Sequence, residues 1–308
     1  MADRTVSAFV LGRVGVDLYP QQLATPLEDV RGFDKFVGGF AGNLATGLAR
    51  LGVSTAVISA VGDDGHGRFV RRFLKAEGVD VRWLGTHPSL RTALAFCEAW
   101  PPDHFPITFY RTPTCPDWEL TTSDLPMELL AGAPLLFATG TGLAREPSRA
   151  TTLAALAASK RGVFDLDWRP MLWEDAADYP GLVRRAVASS AILIGGAAEF
   201  EAAWLDPAEA LSLGPELAVV KRGADGVSLV SPAGSHDVPG LRVPVVNGLG
   251  AGDAFAAGFG AALLAGLDPL EAARRGNGAG ALVASRLACS EAMPTPDEID
   301  ALLAGAFA

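Results

Sequence analysis

The sequence predicts a doubly wound α/β fold with a mainly parallel sheet, in one domain that spans residues 1–308. Helical and strand patterns alternate along the chain from about residue 38 onward, as they do in successive βαβ units. Apolar residues make up 49% of the chain, which is enough to bury a large core. Two segments, about residues 14–37 and 90–111, break the alternation with strand-like residues. We expect them to pair into a small β lid, although long surface loops would also fit.

The helices and strands of this fold are predicted from local patterns. The first core helix places Leu44, Leu48 and Leu51 on one face and ends before Gly52, a residue type common at helix C-termini. Short apolar runs rich in β-branched residues indicate strands that are buried on both faces. In chain order we predict a strand at 9–16, a helix at 41–51, a strand at 55–61, a helix at 65–76, a strand at 135–139, a helix at 148–159, and strands at 162–166, 191–194, 217–221 and 227–230.

Composition and charge exclude several classes of function. The net charge of −10 disfavours nonspecific binding to nucleic acid or to an anionic membrane. No apolar run is long enough for a membrane span, and the first apolar run is too short for a signal peptide. The cysteines (Cys97, Cys115 and Cys289) show no CxxC spacing, and the histidines show no metal-ligand spacing. We therefore expect free thiols, no zinc site and a reducing, cytoplasmic location.

The most informative segment, residues 247–259, reads NGLGAGDAFAAGF. Its glycines lead into an apolar helix, and the unpaired N–H groups at a helix start favour an anion such as phosphate. Gly250, Ala251 and Gly252 would form this anion pocket. Asp253 would cap the helix and accept a proton from a nearby hydroxyl, so the segment predicts phosphate transfer to an alcohol. A glycine-rich loop with an ordinary N-cap aspartate is the alternative.

Glycines and polar residues elsewhere mark further candidate sites. Gly39 and Asn43 open the first core helix, where they indicate close approach of a ligand, although tight helix packing would explain them equally well. Asp17 follows the first predicted strand, where it could bind a sugar hydroxyl or simply form a turn. Glu199 follows the strand at 191–194, where it could reach a metal through water or serve as an ordinary first-turn helix carboxylate.

Two arginines are candidates for binding an anionic group. Arg169 follows the strand at 162–166 within the segment DLDWRP, and doubly wound sheets bind ligands at the C-termini of their strands. It could grip a carboxylate or phosphate, although an internal Asp–Arg salt bridge is the alternative. Arg111 adds a second cation at the end of the predicted lid.

The order of these motifs resembles that of the ribokinase-like (PfkB) sugar kinases over essentially the whole chain. The motifs in question are a GGxxxN helix, GDDGHG at 62–67, a strand-end carboxylate, KRGADG at 221–226 and the late GAGD helix. Longer segments resemble a subgroup that phosphorylates a keto-sugar acid in inositol catabolism. These segments are GRVGVDLYPQ at 12–21, FVGG at 36–39, PPDHFPITFYR at 101–111, GTGLAREPSR at 140–149, DLDWRPMLW at 165–173 and SEAMPT at 290–295.

The resemblance implies an ATP-dependent kinase and a role for each candidate residue. It makes Asp253 the catalytic base, and it makes the backbone amides of Gly250, Ala251 and Gly252 the donors that stabilise the transferring phosphoryl group. The positions that match sugar contacts are Asp17, Gly39 and Asn43, and those that match contacts to an anionic substrate are Arg111 and Arg169. The positions that match the surroundings of the nucleotide are Lys221, Gly223, Gly226 and Asn277.

The reaction that the resemblance implies is transfer of the ATP γ-phosphate to the primary hydroxyl of 5-dehydro-2-deoxygluconate, with magnesium as the metal. A 2-dehydro-3-deoxygluconate kinase, another sugar kinase, and a catalytically silent sugar or nucleotide sensor are the alternatives. An exposed lid edge could pair two subunits into a homodimer, although a monomer is equally compatible.

Two departures from the family's motifs affect the expected ions. Asn247-Gly248-Leu249 stands where the family usually has DTx before GAGD, which puts activation by a monovalent cation in doubt. Only Glu199 remains of the family's NxxE motif, so we expect this residue to reach magnesium through water.

Overall fold

A computed structural model describes residues 5–306 of the chain. The strands are β1 (Ala8–Leu11), β2 (Gly15–Pro20), β3 (Phe33–Gly38), β4 (Thr55–Gly62), β5 (Leu84–His87), β6 (Leu94–Cys97), β7 (Ile107–Tyr110), β8 (Leu135–Thr139), β9 (Gly162–Asp165), β10 (Ile192–Gly196), β11 (Leu217–Lys221), β12 (Val227–Ser231) and β13 (Gly234–Val238). The α-helices are α1 (Phe40–Arg50), α2 (Gly65–Ala76), α3 (Met127–Gly132), α4 (Ser148–Ala158), α5 (Tyr179–Val187), α6 (Ala197–Ala202), α7 (Pro207–Leu211), α8 (Ala251–Leu264), α9 (Pro269–Ala284) and α10 (Pro296–Ala306).

The larger sheet has nine strands in the order β13-β12-β11-β10-β9-β8-β1-β4-β5. The strands from β5 across to β11 all run parallel, and β12 and β13 add an antiparallel edge. Because parallel neighbours end at the same edge of a sheet, the residues that follow β9, β10 and β11 come together there. The predicted α/β class with a mainly parallel sheet is confirmed.

Helices cover both faces of this sheet. Val10 and Phe137 point to one face, where they belong to a core cluster with residues of α1, α8 and α9. Their chain neighbours Phe9 and Leu136 point to the other face and pack with residues of α4 and α5. This alternation follows from the two-residue period of a strand, and it explains why the central strands are apolar throughout.

The second sheet, which we call the lid after the prediction, has four strands in the order β3-β2-β6-β7. β2 pairs antiparallel with β3 and parallel with β6, and β6 pairs antiparallel with β7. All four strands come from the two segments that interrupt the alternation of helices and strands. The edge strands of this sheet are β3 and β7, and Tyr110 on β7 is 59% exposed.

The predicted strand at 9–16 is wrong as a single element. β1 ends at Leu11, and Gly12 has a φ of 151°, after which the chain enters β2 in the lid. A Cβ on Gly15 would lie 2.6 Å from the carbonyl oxygen of Ala93, so only glycine allows this close approach to the residue that precedes β6. Asp17 therefore lies within a lid strand and not in a turn after a core strand.

The other predicted helices and strands lie within two residues of those observed. β5 and β13 have no counterpart among the predicted strands. Most residues of β13 are exposed, so it has no apolar run by which a strand could be recognised. Within residues 5–306, none of the helices combines the length and the apolar character that crossing a bilayer requires.

Candidate active site

Helix α8 begins at Ala251, and its N-cap residue is Gly250, whose φ of 80° lies in the left-handed region that favours glycine. A Cβ at this position would also lie 2.8 Å from Cys289 Sγ. Asp253 lies in the first turn, but the helix start has no side-chain cap, so the predicted capping role of Asp253 is wrong. Its carboxylate instead accepts a hydrogen bond of 2.7 Å from Asn43 Nδ2.

The Asp253 carboxylate is held by a chain of polar contacts. Asn43 Oδ1 accepts a hydrogen bond of 2.7 Å from Ser290 Oγ, which fixes the amide so that its Nδ2 faces Asp253. Burial raises the pKa of Asp253 from 3.8 to about 6, although the bond from Asn43 opposes the shift. At pH 7 the carboxylate is therefore mostly ionised, and its pKa lies close to the pH at which a general base works best.

A cavity between the lid and the start of α8 holds the residues predicted to contact a sugar. We call it the lid cavity; its lining includes Arg13, Asp17, Gly39, Asn43, Arg111, Arg169, Gly250 and Asp253. Gly39 has a φ of 85°, and a Cβ there would lie 2.6 Å from the carbonyl oxygen of Arg13. Burial raises the pKa of Asp17 to about 7.

The two arginines predicted to hold an anion both line this cavity, and each has an acidic partner. Arg111 is buried, and its Nη2 donates to Asp117 Oδ2 at 2.6 Å. Arg169 Nε lies 3.3 Å from Asp167 Oδ1, but it makes no hydrogen bond within the described part of the chain. The side chain of Arg169 is 40% exposed, so it is the arginine that is freer to contact a ligand.

Arg13 is a third arginine of the lid cavity, and sequence reasoning did not single it out. It is buried, and its Nη1 lies 2.5 Å from Asp167 Oδ2 and donates to Thr141 Oγ1. Burial favours the protonated form of Asp167, but Arg13 and Arg169 outweigh this effect and hold the pKa of Asp167 below its usual range. A basic residue within an apolar strand-and-turn segment is the one sequence signal that marks Arg13.

A second cavity holds the residues predicted to lie beside a nucleotide. We call it the apolar cavity; its lining includes Lys221, Gly223, Gly226, Val243, Val245, Ala251, Gly252, Phe255 and Asn277. Asn277 Nδ2 donates to the carbonyl oxygen of Pro239 at 3.0 Å, which ties α9 to the chain after β13. The apolar walls of this cavity suit the flat base of a nucleotide, and its lysine and glycine-rich turns suit the phosphates.

A third cavity, which we call the acidic cavity, lies between the other two. Its lining includes Arg13, Asp165, Asp167, Glu199, Lys221, Gly250, Gly252 and Asp253. Lys221 Nζ lies 2.9 Å from Asp165 Oδ2 and 3.9 Å from Glu199 Oε2. These two carboxylates outweigh the effect of burial and raise the pKa of Lys221, so this lysine stays charged.

Both oxygens of Glu199 already accept hydrogen bonds. Glu199 Oε2 accepts from the backbone N–H of Gly196 at 2.6 Å, and Oε1 accepts from that of Trp168 at 3.2 Å. Within residues 5–306, no group of three or more His, Cys, Asp or Glu side chains is placed to hold a metal ion. The protein therefore offers carboxylates near the acidic cavity, but no complete set of metal ligands among the described residues.

Asn247 fixes the loop before α8 from a fully buried position. Its Nδ2 donates to the carbonyl oxygen of Leu287 at 2.6 Å, and its Oδ1 accepts from the backbone N–H of Leu249 at 3.1 Å. An aspartate could accept but not donate, so it could not make both of these bonds. The departure from the family's motif at this position thus has a structural role.

Comparisons with known proteins identify the family of this chain. The profile described as pfkB family carbohydrate kinase matches residues 7–296. The chain is 32% identical to a 5-dehydro-2-deoxygluconokinase of Clostridium tetani (strain Massachusetts / E88), over 94% of this chain and 90% of that protein. It is 29% identical to a PfkB protein from Polaromonas sp. JS666, whose crystal structure matches with a TM-score of 0.84 over 96% of this chain and 99% of that one.

A double-mutant fructokinase from Vibrio cholerae O395, solved in a form bound to fructose, ADP and potassium ion, is 27% identical to this chain. Its structure matches with a TM-score of 0.85 over 98% of this chain and 100% of that one. The family profile and the kinase relatives support a sugar kinase over the silent sensor that the sequence left as an alternative. The chain belongs to the pfkB family of carbohydrate kinases and is a sugar kinase.

Proposed function

We propose that this sugar kinase transfers the γ-phosphate of ATP to the primary hydroxyl of 5-dehydro-2-deoxygluconate, a keto-sugar acid of inositol catabolism. The observation that carries the proposal is the position of Asp253, which lines both the lid cavity and the acidic cavity at the start of α8. One carboxylate thus faces both the site for an acceptor alcohol and the site for a phosphoryl group. The name of the Clostridium tetani relative supports the choice of substrate.

The sugar would bind in the lid cavity beneath the lid strands. Asp17, Gly39 and Asn43 would contact its hydroxyl groups. The carboxylate of Asp17 offers hydrogen-bond acceptors, and the amide of Asn43 offers a donor. Gly39 has no side chain and so leaves space for the sugar beside the backbone. With a pKa of about 7, Asp17 can accept a hydrogen bond from a hydroxyl when ionised and donate one when protonated. Closure of the lid over the sugar would exclude water and limit the hydrolysis of ATP.

The phosphoryl group would lie at the start of α8. Asp253 accepts the proton of the primary hydroxyl as the oxygen attacks phosphorus in line with the leaving ADP. The backbone amides of Gly250, Ala251 and Gly252 donate toward the equatorial oxygens, where negative charge is concentrated. These amides belong to the helix start and need no reorganisation during the reaction, which is what makes such donors effective.

The nucleotide would bind in the apolar cavity, with its phosphates directed toward the acidic cavity. Lys221 lines both cavities, so its charged ammonium can contact the phosphates, while Gly223, Gly226 and Asn277 border the rest of the nucleotide. The metal we propose is magnesium, which when bound neutralises charge between the β and γ phosphates. The donor set fits an ion held mainly by phosphate oxygens, and Glu199 would contact it through water because both of its oxygens are already engaged.

An anionic substrate is favoured by the arginines of the lid cavity. Arg13, Arg111 and Arg169 all line it, in a chain whose net charge is −10. Arg13 and Arg111 are buried with acidic partners, and Arg169 is the most exposed of the three, so we assign the substrate carboxylate mainly to Arg169 with Arg111 nearby.

The same proposal extends to ions, assembly and location. Asn247 makes both of its hydrogen bonds within the protein, which supports a kinase that needs no monovalent cation.

The edge strands β3 and β7 could pair two lids in a homodimer. All three cysteines are buried and free in the structure, which fits a reducing cytoplasm, and we propose no nucleic-acid or membrane partner.

The experiment that tests this proposal is ADP release with MgATP and a panel of four acceptors. The acceptors are 5-dehydro-2-deoxygluconate, 2-dehydro-3-deoxygluconate, fructose and ribose, and we expect the highest kcat/KM with the first.

The variant Arg169→Met should raise KM for 5-dehydro-2-deoxygluconate about 10–100-fold, because it removes a charged hydrogen bond to the substrate carboxylate. It should leave KM for fructose nearly unchanged. Arg68→Met, at an exposed position on α2, is the matched control. A preference for fructose or ribose would contradict the anionic substrate.

A further inference from the structure

A fourth cavity lies beside lid strand β7, and the phosphotransfer proposed above makes no use of it. We call it the side cavity and define it by the lining residues Phe109, Arg111, Trp118, Arg145, Met171 and Trp173. Part of its lining comes from lid strand β7, and part comes from residues 171–174, which lie outside the lid sheet. Arg111 lines both the side cavity and the lid cavity, so it separates the two.

Three residues of this lining each carry a buried N–H donor that has no hydrogen-bond partner among residues 5–306. These donors are Arg111 Nε, Trp118 Nε1 and Trp173 Nε1. Their residues are only 5%, 3% and 8% exposed, respectively. A buried donor without an acceptor costs free energy, and native proteins leave few of them, so three around one cavity indicate a ligand that supplies acceptors.

The charges of the side cavity point to the class of that ligand. The guanidinium groups of Arg111 and Arg145 lie 4.4 Å and 5.5 Å from the centre of the Trp118 ring. Each arginine has an acidic partner: Arg111 Nη2 lies 2.6 Å from Oδ2 of the buried Asp117, and Arg145 Nη2 lies 2.6 Å from Glu174 Oε1. The side chain of Glu174 is 72% exposed, so water weakens the second ion pair, and Arg111 Nε remains a donor without an acceptor within residues 5–306. Cations and unpaired N–H donors together favour an oxyanion, and the side chains of Phe109 and Met171 offer apolar contact to a short carbon chain.

We propose that the side cavity binds the oxyanion group, carboxylate or phosphate, of a small organic acid. The indole N–H groups of Trp118 and Trp173 and the Nε–H of Arg111 would donate to its oxygens. Because β7 belongs to the lid and residues 171–174 belong to the body, a bound anion would link the two and favour one position of the lid. The site lies in a different cavity from the place proposed for the substrate carboxylate, and anion binding there can be measured without ATP or sugar.

Indole N–H signals in the NMR spectrum of the ¹⁵N-labelled full-length protein test this site directly. The chain has six tryptophans, and single Trp→Phe variants assign their signals. Titration with acetate or with inorganic phosphate, against chloride at equal ionic strength, should shift the signals of Trp118 and Trp173 in a saturable way. The signal of Trp204, which is 73% exposed, should not move. Whichever of the two anions saturates at the lower concentration identifies the preferred oxyanion.

Variants locate the bound anion. Trp118→Phe keeps a ring beside Arg111 and removes only the indole donor, so the anion should bind about tenfold more weakly when measured at the Trp173 signal. Trp173→Phe should have the same effect measured at the Trp118 signal, so either variant suffices if the other does not fold. Arg169→Met, in the lid cavity, should leave the affinity unchanged.

Two results would overturn the proposal. One is the absence of a saturable shift at Trp118 and Trp173 with either anion. The other is loss of binding in Arg169→Met with unchanged binding in Trp173→Phe, since this would place the anion in the lid cavity. Neither result bears on phosphate transfer, because the titration contains no ATP and no sugar.

Discussion

Replacement of Asp253 by asparagine should nearly abolish activity and, at the same time, stabilise the fold. The variant loses the group that accepts the proton of the acceptor hydroxyl, so kcat should fall by about 10²–10⁴, the usual contribution of a general base. The new amide oxygen can still accept the hydrogen bond that Asn43 Nδ2 donates at 2.7 Å, so the local structure should persist. ATP binding should change little.

The gain in stability follows from the pKa of Asp253. Burial raises it from 3.8 to about 6, which corresponds to about 3 kcal/mol of unfavourable burial of the charged form. Asp253 keeps part of its surface accessible, so screening reduces this figure to about 1–2 kcal/mol. Because the folded pKa lies above the unfolded one, this cost is fully present above pH 6 and disappears as the pH falls toward 3.8.

Urea unfolding at pH 7.5 and pH 5, together with coupled-enzyme kinetics, measures both effects. The asparagine variant should be more stable than the wild type at pH 7.5, and the difference should shrink at pH 5. Asp29→Asn, at an exposed site, is the control and should change neither quantity. A kcat within a factor of ten of the wild type, or a variant less stable at pH 7.5, would refute the reasoning.

Three further predictions concern the surroundings of the base. Arg13→Met leaves the buried Asp167 carboxylate without its nearest cation, so the free energy of unfolding in urea should fall by about 3 kcal/mol or more; an unchanged midpoint would contradict the role of this pair. Gly250→Ala puts a Cβ 2.8 Å from Cys289 Sγ at a residue whose φ is 80°. Calorimetry should therefore show a lower Tm, and kinetics should show a lower kcat. A Tm equal to that of the wild type would count against this strain. Because Asn247 already makes both of its hydrogen bonds, kcat should be the same in potassium and in tetramethylammonium buffers, and a clear potassium requirement would disprove this explanation.

Local patterns in the sequence determined most of the fold. The alternation of apolar helices and β-branched runs depends on periods of 3.6 and 2 residues, which are properties of the chain itself, and it predicted the parallel sheet. The glycine-rich start of α8 was also readable, because positive φ and close approach favour glycine whatever surrounds it. Two strands were missing from the prediction, β5 and β13, and the exposed residues of β13 have no apolar period.

Contacts between distant residues were decided only by the tertiary structure. Asp253 and Asn43 are 210 positions apart, and Arg13 and Asp167 are 154 apart, so no local spacing could pair them. Burial shifts the pKa of Asp17 and Asp253 toward neutrality, and burial is known only once the lid and the body have packed together. The sequence by itself thus determined the elements and the glycine turns, because these depend on neighbouring residues. Which carboxylate faces which cation depends on how the elements pack, so only the tertiary structure decided it.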